Sequence, residues 1–254
     1  MSDSQPPLIV DETAYAARAR VEVEAWRAEM MRGPSIMGRA ARGVQVRINR
    51  AIPEKVHAAV TSVMETMTRA IVTGADFTTA KPLREGTLSA REAELERCIG
   101  AYRATAAAEG GVAGAGGFAL ALAEFPTLIA TKIKFLFDAA ALYGHDGGDL
   151  AERLYILHIF QLAFSSADHR RDILARMEDW DSRMAARPPS LDHIDWRKLQ
   201  QEYRDYIDLA KLLQLVPVIG APVGAVVNYR MLDRLGEAAK NSYRMRWFAA
   251  EAAP

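Results

Sequence analysis

The sequence has a single cysteine, Cys98, and no excess of either charge sign among its 254 residues. A lone cysteine cannot form an internal disulfide, so the fold does not depend on oxidation, which favours a reducing compartment. Lys+Arg and Asp+Glu both number 32, so no net field attracts nucleic acid, and we expect no nucleic-acid partner. Residues 1–10 lack the basic and apolar segments of a signal peptide. We therefore expect a cytoplasmic protein.

The sequence also lacks the motifs that announce common catalytic or cofactor sites. None of its five histidines has a metal-type partner three or four residues away. The glycine spacing matches neither G-x-G-x-x-G nor a P-loop, and no G-x-S-x-G elbow is present. We therefore expect no metal and no cofactor, and a protein without enzymatic activity.

Helical periodicity runs through most of the chain, and no alternating strand pattern is present. The fold class predicted is all-α, a single multi-helix bundle. The predicted helices cover 12–31, 35–51, 53–71, 89–108, 127–143, 149–164, 165–184, 196–213 and 221–248. Ser89 is predicted to begin its helix in a capping box with Glu92. Pro126 is predicted to kink or restart the helix in which it lies.

Two apolar segments are punctuated by glycine, and they cover roughly 110–142 and 212–249. Gly110 and Gly114 are four residues apart, as are Gly220 and Gly224. A glycine inside a helix costs about 1 kcal/mol relative to alanine. This spacing therefore predicts helices that approach closely through small residues. We expect the two segments to pack against each other at the centre of the bundle.

The sequence leaves open whether these segments are buried or meet lipid. The apolar run 112–123 is short for a membrane span, whereas 212–229 has no charge and reaches the threshold length but contains two prolines. Buried core, interfacial insertion and a true span all remain open. Asn228 is interpreted as a buried hydrogen-bonding residue that fixes helix register. Glu124 is interpreted either as a cap beside Pro126 or as a polar point in an apolar site.

The other chemically suggestive residues each have a structural interpretation beside the functional one. Ser165, Ser166, Asp168 and His169 bring a nucleophile, an acid and a base together in sequence, but they also predict a helix N-cap. Glu124 with a nearby lysine, Lys132 or Lys134, is a second arrangement open to a hydrolase, although Lys134 and Asp138 are spaced to pair with each other. The basic and aromatic residues in 240–248 suit either a membrane interface or an ordinary C-terminal helix.

The two glycine-rich blocks are where the sequence resembles the EcsC family. The first block is Gly110–Gly117, then Glu124-Phe125-Pro126, then Tyr143-Gly144. Gly114 and Gly117 lie within its glycine run. The second block contains Pro217, Gly220, Gly224 and Asn228, followed by Asp233. Ile52-Pro53-Glu54-Lys55 fits as well. One departure is Glu124, where the family more often has aspartate.

The resemblance covers about 45–250, which we interpret as an EcsC-like helical domain after a disordered tail, 1–11, and a helical extension, 12–44. The family takes its name from a protein encoded beside the subunits of a bacterial ABC exporter, and it supplies no agreed catalytic residues. The two glycine-punctuated apolar segments, the basic and aromatic C-terminus and this resemblance together lead us to expect a non-enzymatic protein at the inner face of the cytoplasmic membrane, accessory to an ABC-type transport system. Its partner would be a membrane surface or a membrane protein. A soluble bundle that binds a lipid-like ligand, and a hydrolase, remain as alternatives.

Overall fold

The computed structural model describes residues 10–32, 54–74, 80–115, 117–197, 199 and 221–252, and for 54–57, 60, 110, 112–115, 117–122, 168 and 221–224 it describes the backbone. Within these ranges the chain forms eight α-helices and no strand, so the predicted all-α fold is confirmed. The helices are α1 (Glu12–Met31), α2 (Glu54–Thr73), α3 (Leu88–Ala115), α4 (Gly117–Leu142), α5 (Leu150–Phe164), α6 (Ala167–Met177), α7 (Trp180–Ala186) and α8 (Ala221–Ala252). A 3-10 turn covers Leu191–His193.

Three helices, α3, α4 and α8, form the centre of the bundle. The contact between α3 and α8 is the most extensive between any two described helices. At Gly236 of α8 a Cβ atom would lie 2.8 Å from Cδ1 of Ile99 on α3, so a larger residue there would force the Ile99 side chain to shift. Helix α4 packs against α3 as the second arm of a hairpin, while α1, α2 and α5–α7 surround this core.

Local sequence signals account for the helices whose bounds were predicted well. Asp11 caps α1 because its side chain accepts hydrogen bonds from the amides of Thr13 and Ala14, at 3.0 and 3.1 Å. In α8 the predicted apolar stripe is buried at Met231, Leu235 and Ala239. The charged residues predicted for the opposite side, Arg230, Asp233, Arg234 and Glu237, are exposed. The amphipathic pattern of the sequence is therefore realised in α8.

The predicted capping box at the start of α3 is wrong. The helix begins at Leu88, and Thr87 is the capping residue, since its hydroxyl accepts from the amide of Ala90 at 3.3 Å. Ser89 lies in the first turn, where its hydroxyl hydrogen-bonds Glu12 of α1. Glu92 points inward to Arg244 instead of back toward the cap. Partners far away in sequence have replaced the local capping interaction.

The single helix predicted over 165–184 is in fact two helices, α6 and α7. The chain turns at Asp179, whose φ of 48° lies in the left-handed region that non-glycine residues rarely adopt. The turn places Trp180 in the core, 5 % exposed, with its ring centroid 5.2 Å from that of Tyr155. It also allows Glu178 to accept from Arg27 of α1 at 2.6 Å. Burial of Trp180 offsets the strained backbone.

Helix α4 runs without interruption through Pro126, so it does not restart there. Glu124 therefore lies inside a helix, and the interpretation of it as a cap beside Pro126 is wrong. The predicted tail over 1–9, the predicted helix over 35–51 and nearly all of the predicted helix over 196–213 lie outside the described residues. Pro217 and Gly220 lie outside them as well.

Candidate functional site

A buried ion pair between Arg244 and Glu92 stabilises the end of the core that lies near the start of α3. Arg244 of α8 donates through Nε and Nη2 to both carboxylate oxygens of Glu92, at 2.6 and 2.7 Å, and through Nη1 to Glu22 at 2.7 Å. Glu92 is only 1 % exposed. It also accepts from the hydroxyls of Tyr15 and Tyr143, at 2.7 and 3.2 Å. Every oxygen of the buried carboxylate thus has donors, as a buried charge requires.

A second buried ion pair is made by Arg246, two residues further along α8 and on nearly the opposite side of the helix. Arg246 donates to Glu152 at 2.5 Å and to Asp181 at 2.9 Å. Tyr243 donates to the other Glu152 oxygen at 2.7 Å, while His145 stacks on the Tyr243 ring with centroids 5.4 Å apart. Burial lowers the pKa of His145, which keeps the neutral imidazole favoured beside Arg246, although Glu152 opposes the shift.

Tyr143 and Gly144, two residues singled out by the sequence, connect these ion pairs. The Tyr143 ring stacks on Tyr243, with centroids 5.0 Å apart, and burial raises the pKa of both hydroxyls well above the ordinary value. Gly144 has a φ of +92°, and a Cβ there would lie 2.8 Å from the carbonyl oxygen of Leu83. Only glycine fits this turn. In this structure Tyr143 contacts the first buried ion pair directly and the second through Tyr243, and Gly144 forms the tight turn that follows it.

Most of the basic and aromatic residues near the C-terminus are therefore buried in the bundle and do not face a membrane interface. Tyr243, Arg244, Arg246 and Phe248 are all less than 9 % exposed. Their side chains face α1, α3 and α5 because the carboxylates that they pair with lie on those helices or beside them. The interfacial interpretation is therefore wrong for these four residues, while Lys240 and Trp247 are half-buried. The cluster does lie on a C-terminal helix as the alternative predicted, but its cations are not in the last turn, since α8 continues to Ala252.

At the opposite end of the core, a lysine is buried between α4 and α8. Lys132 is 0 % exposed, and its Nζ donates to the Leu128 carbonyl at 3.1 Å and to Oδ1 of Asn228 at 3.0 Å. Burial lowers the pKa of Lys132 to about 8, and the charge of Glu109 opposes that shift. Asn228 is also 0 % exposed, so its predicted burial is confirmed.

Glu124 and Glu109 lie beside this pair, on a cavity of about 320 Å³ whose other described lining residues are Ala108, Thr127 and Leu128. Thr131 donates to one oxygen of Glu109 at 2.9 Å. The two nearby lysines have other partners: Lys132 hydrogen-bonds Asn228, and Lys134 hydrogen-bonds Asp138 at 3.1 Å, as its spacing predicted. Neither lysine forms a recorded bond with Glu124 among the described residues, so the arrangement proposed for hydrolysis is not assembled there.

Contacts along the three central helices place the glycine run 110–115 and Gly224, the first described glycine of the second block, at the same end of the bundle. Helices α3 and α8 are antiparallel, because Arg244 meets Glu92 near the start of α3 and Asp233 meets Arg103 further along. Helices α4 and α8 are parallel, because Asn228 meets Lys132 early and Tyr243 meets Tyr143 late. The end of α3, the start of α4 and the start of α8 therefore lie together. Gly110, Gly114, Gly117 and Gly224 all belong to these helix ends.

We call this region, 110–115, 117–123 and 221–229, the uncharged end. The sequence has no charged residue between Glu109 and Glu124, nor between Lys211 and Arg230. Val226 and Tyr229 of α8 are 50 % and 44 % exposed, and Pro126 of α4 is exposed too. Asp233 and Arg103, which pair with each other, mark where charge begins again on this side. An apolar end of this kind is typical of an interaction surface.

The serine-histidine group does not form a catalytic arrangement in the described residues. The hydroxyl of Ser165 is buried and donates to the Leu162 carbonyl at 3.3 Å. Ser166 occupies the N-cap position of α6, as predicted, but its side chain makes no capping bond. The side chain of Asp168 lies outside the described residues. The backbone amide of His169 donates a hydrogen bond to the Ser166 carbonyl at 3.2 Å. This geometry gives no support to a hydrolase.

The two buried ion pairs and the close helix contact at Gly236 were not identified from the sequence. Glu92, Arg244, Glu152 and Arg246 are separated by more than 90 residues in their pairs, so no local spacing links them. Gly236 is a lone glycine with no partner glycine four residues away. A signal was present in Arg246, which falls on the same side of the helix as Leu235 and Ala239 and so interrupts the apolar stripe.

Comparison with known proteins gives a family match over most of the chain. The model of the EcsC protein family matches residues 17–248. The chain is similar to Protein EcsC of Bacillus subtilis (strain 168), with 40% identity over 222 residues, which are 87% of this chain and 91% of that protein. It is also similar to Uncharacterized protein YdbA of the same organism, with 29% identity over 171 residues, 67% of this chain and 62% of that protein. No solved structure matches.

The described residues contain neither a membrane-spanning helix nor a metal-binding group. None of the described helices combines the length and the apolar character that a membrane crossing needs. The described histidine, cysteine and acidic residues form no group of three that could hold a metal ion. The family match begins inside α1, and the domain boundary expected at residue 45 stays a prediction.

Proposed function

The chain belongs to the EcsC family, and we propose that it is a non-enzymatic helical protein that works at the cytoplasmic face of the membrane, where its uncharged end contacts lipid. The observation that carries the proposal is that the charge-free stretches 110–115, 117–123 and 221–229 lie at the same end of the central helices. The link to an ABC-type transport system is supported by the family resemblance.

Partial insertion accounts for this end better than a full span does. The uncharged end consists of the tips of the three helices. The nearest charged residue on each helix is Glu109 on α3, Glu124 on α4 and Arg230 on α8. An apolar tip bordered by charges suits the headgroup boundary, where apolar side chains are buried by about 5–10 Å. The bordering charges are of both signs, so attraction to anionic lipid is not what would drive binding. We therefore expect binding that persists at high salt.

Vesicle flotation tests the proposal. The protein is mixed with phosphatidylethanolamine and phosphatidylglycerol vesicles at low and high salt, and the bound fraction is measured after centrifugation. The double variant Val226→Asp/Tyr229→Asp places two carboxylates on the uncharged end, and we expect it to bind several-fold less. Val21→Asp on α1 is the matched control, because Val21 is 71 % exposed and lies outside this end. A wild-type protein that fails to float, or a double variant that floats equally well, would contradict the proposal.

A further inference from the structure

A second apolar surface lies away from the uncharged end, between α5, α7 and the stretch 187–199. It is a cavity of about 630 Å³, within the range of roughly 300–1,000 Å³ found for small-molecule sites. Its walls are mainly apolar and aromatic: Leu154, Leu157, Trp180, Met184, Pro188, Pro189, Ile194 and Leu199. Leu157 and Trp180 are buried, so the floor of the cavity belongs to the core of the bundle.

The polar groups on this cavity are cationic or neutral. Arg187, His158, His193, Gln161 and Ser190 complete the described lining, which contains no carboxylate. His158 and Gln161 bond each other at 3.0 Å. The guanidinium of Arg187 is exposed and has no ion pair with any described residue. The nearest acids in sequence, Asp192 and Asp195, do not line the cavity.

We infer that this cavity binds a single-chain amphiphile with an anionic headgroup. The acyl chain would lie along the apolar walls formed by Leu154, Leu157 and Ile194. The headgroup would accept hydrogen bonds from Arg187, whose planar guanidinium suits a carboxylate or a phosphate. Burial of the chain gives the affinity, and the unpaired cation without competing carboxylates gives the preference for an anion. This site is separate from the uncharged end and does not depend on membrane contact.

Isothermal titration with three sixteen-carbon probes tests the inference, each kept below its critical micelle concentration. We expect palmitate or hexadecyl phosphate to bind with one-to-one stoichiometry and hexadecanol to bind roughly tenfold more weakly, as the loss of one charge-assisted hydrogen bond predicts. A preference for palmitate would identify a fatty-acid site. A preference for hexadecyl phosphate would identify a phospholipid-type headgroup. Equal affinity for hexadecanol, or no binding of either anion, would overturn the inference.

Two substitutions locate the binding. Arg187→Gln should weaken binding of the anionic probe roughly tenfold and leave hexadecanol unchanged, since only the charged contact is lost. Arg84→Gln, at another exposed arginine, is the matched control and should bind like the wild type. Ile194→Asp should abolish binding of all three probes. If Ile194→Asp does not fold, Arg187→Gln still decides, and unchanged anion binding in that variant would overturn the inference. Val226→Asp/Tyr229→Asp should bind the probes normally, which separates this site from the membrane proposal.

Discussion

Lys132 is a fully buried ammonium group whose recorded hydrogen bonds go to a main-chain carbonyl and to the neutral amide of Asn228. Neither acceptor carries a full negative charge, so desolvation dominates and its pKa falls to about 8 from an ordinary value of 10.5. Between these pH values the unfolded chain keeps the proton that the folded chain has lost. Lys132 therefore adds to the free energy of unfolding as pH rises through this window.

The change Lys132→Met tests this behaviour. Methionine fills a similar volume without a titrating group, so its free energy of unfolding lacks the Lys132 contribution. From pH 8 to pH 10.5 we expect the wild type to gain about 3 kcal/mol relative to the variant. Urea unfolding at a series of pH values measures the difference. Cys98 has a raised pKa and shifts the profile the other way, but it is present in both proteins and cancels. Parallel profiles would show that Lys132 keeps an ordinary pKa.

At the scale of single residues, the sequence predicted environments better than partners. The burial of Asn228 followed from its place in an apolar helical stripe. Its contact with Lys132 did not, because 96 residues separate the two. The assignment of Glu124 as a cap failed because Pro126, usually found in the first turn of a helix, here lies inside α4.

At the scale of helices, the pairing of α3 with α8 depends on both small and charged residues. Gly236 permits close approach at Ile99, and the Arg244–Glu92 pair holds the same interface two turns away. A buried ion pair is costly to break, since the remaining charge is left without a partner in a low-dielectric environment. The α3–α8 interface should therefore be sensitive to removal of either charge alone.

A double-mutant cycle tests this expectation. We expect Arg244→Met to lower the free energy of unfolding by about 3–5 kcal/mol, because Glu92 is left buried and unpaired. Glu92→Gln in the same background should restore part of the loss, since a neutral amide can still accept from Tyr15 and Tyr143. Arg97→Met is the control; its partner Glu94 is exposed, so the cost should stay below about 1 kcal/mol. Strictly additive effects of the two core substitutions would contradict a coupled buried pair.

The sequence predicted helix boundaries where the signal was local and missed them where distant contacts prevailed. Asp11 begins α1 through its own side chain, and that boundary was predicted. Ser89 and Glu92 have the spacing of a capping box, but Glu12 and Arg244 bond them instead. The break at Asp179 is set by the burial of Trp180, which no pattern within 165–184 could indicate.

At the scale of the whole molecule, the central helices have two chemically different ends. Ion pairs among Glu92, Arg244, Glu152 and Arg246 fill one end, and the charge-free runs meet at the other. The matching glycine spacings predicted that the two segments pack together, and the register of α3, α4 and α8 places the glycines at the end of α3 and Gly224 at the same end of the bundle. The inward orientation of the C-terminal arginines could not be predicted, because it depends on carboxylates that the fold brings from other helices.

Hydrogen–deuterium exchange with and without vesicles tests the central claim most directly. If the uncharged end contacts lipid, phosphatidylethanolamine–phosphatidylglycerol vesicles should slow amide exchange in peptides covering 105–126 and 221–232. Peptides from 12–22 and 240–252 should exchange at unchanged rates, because they lie at the ionic end. Protection confined to 240–252, or no protection in any peptide, would contradict the assignment of the uncharged end as the surface that meets the membrane.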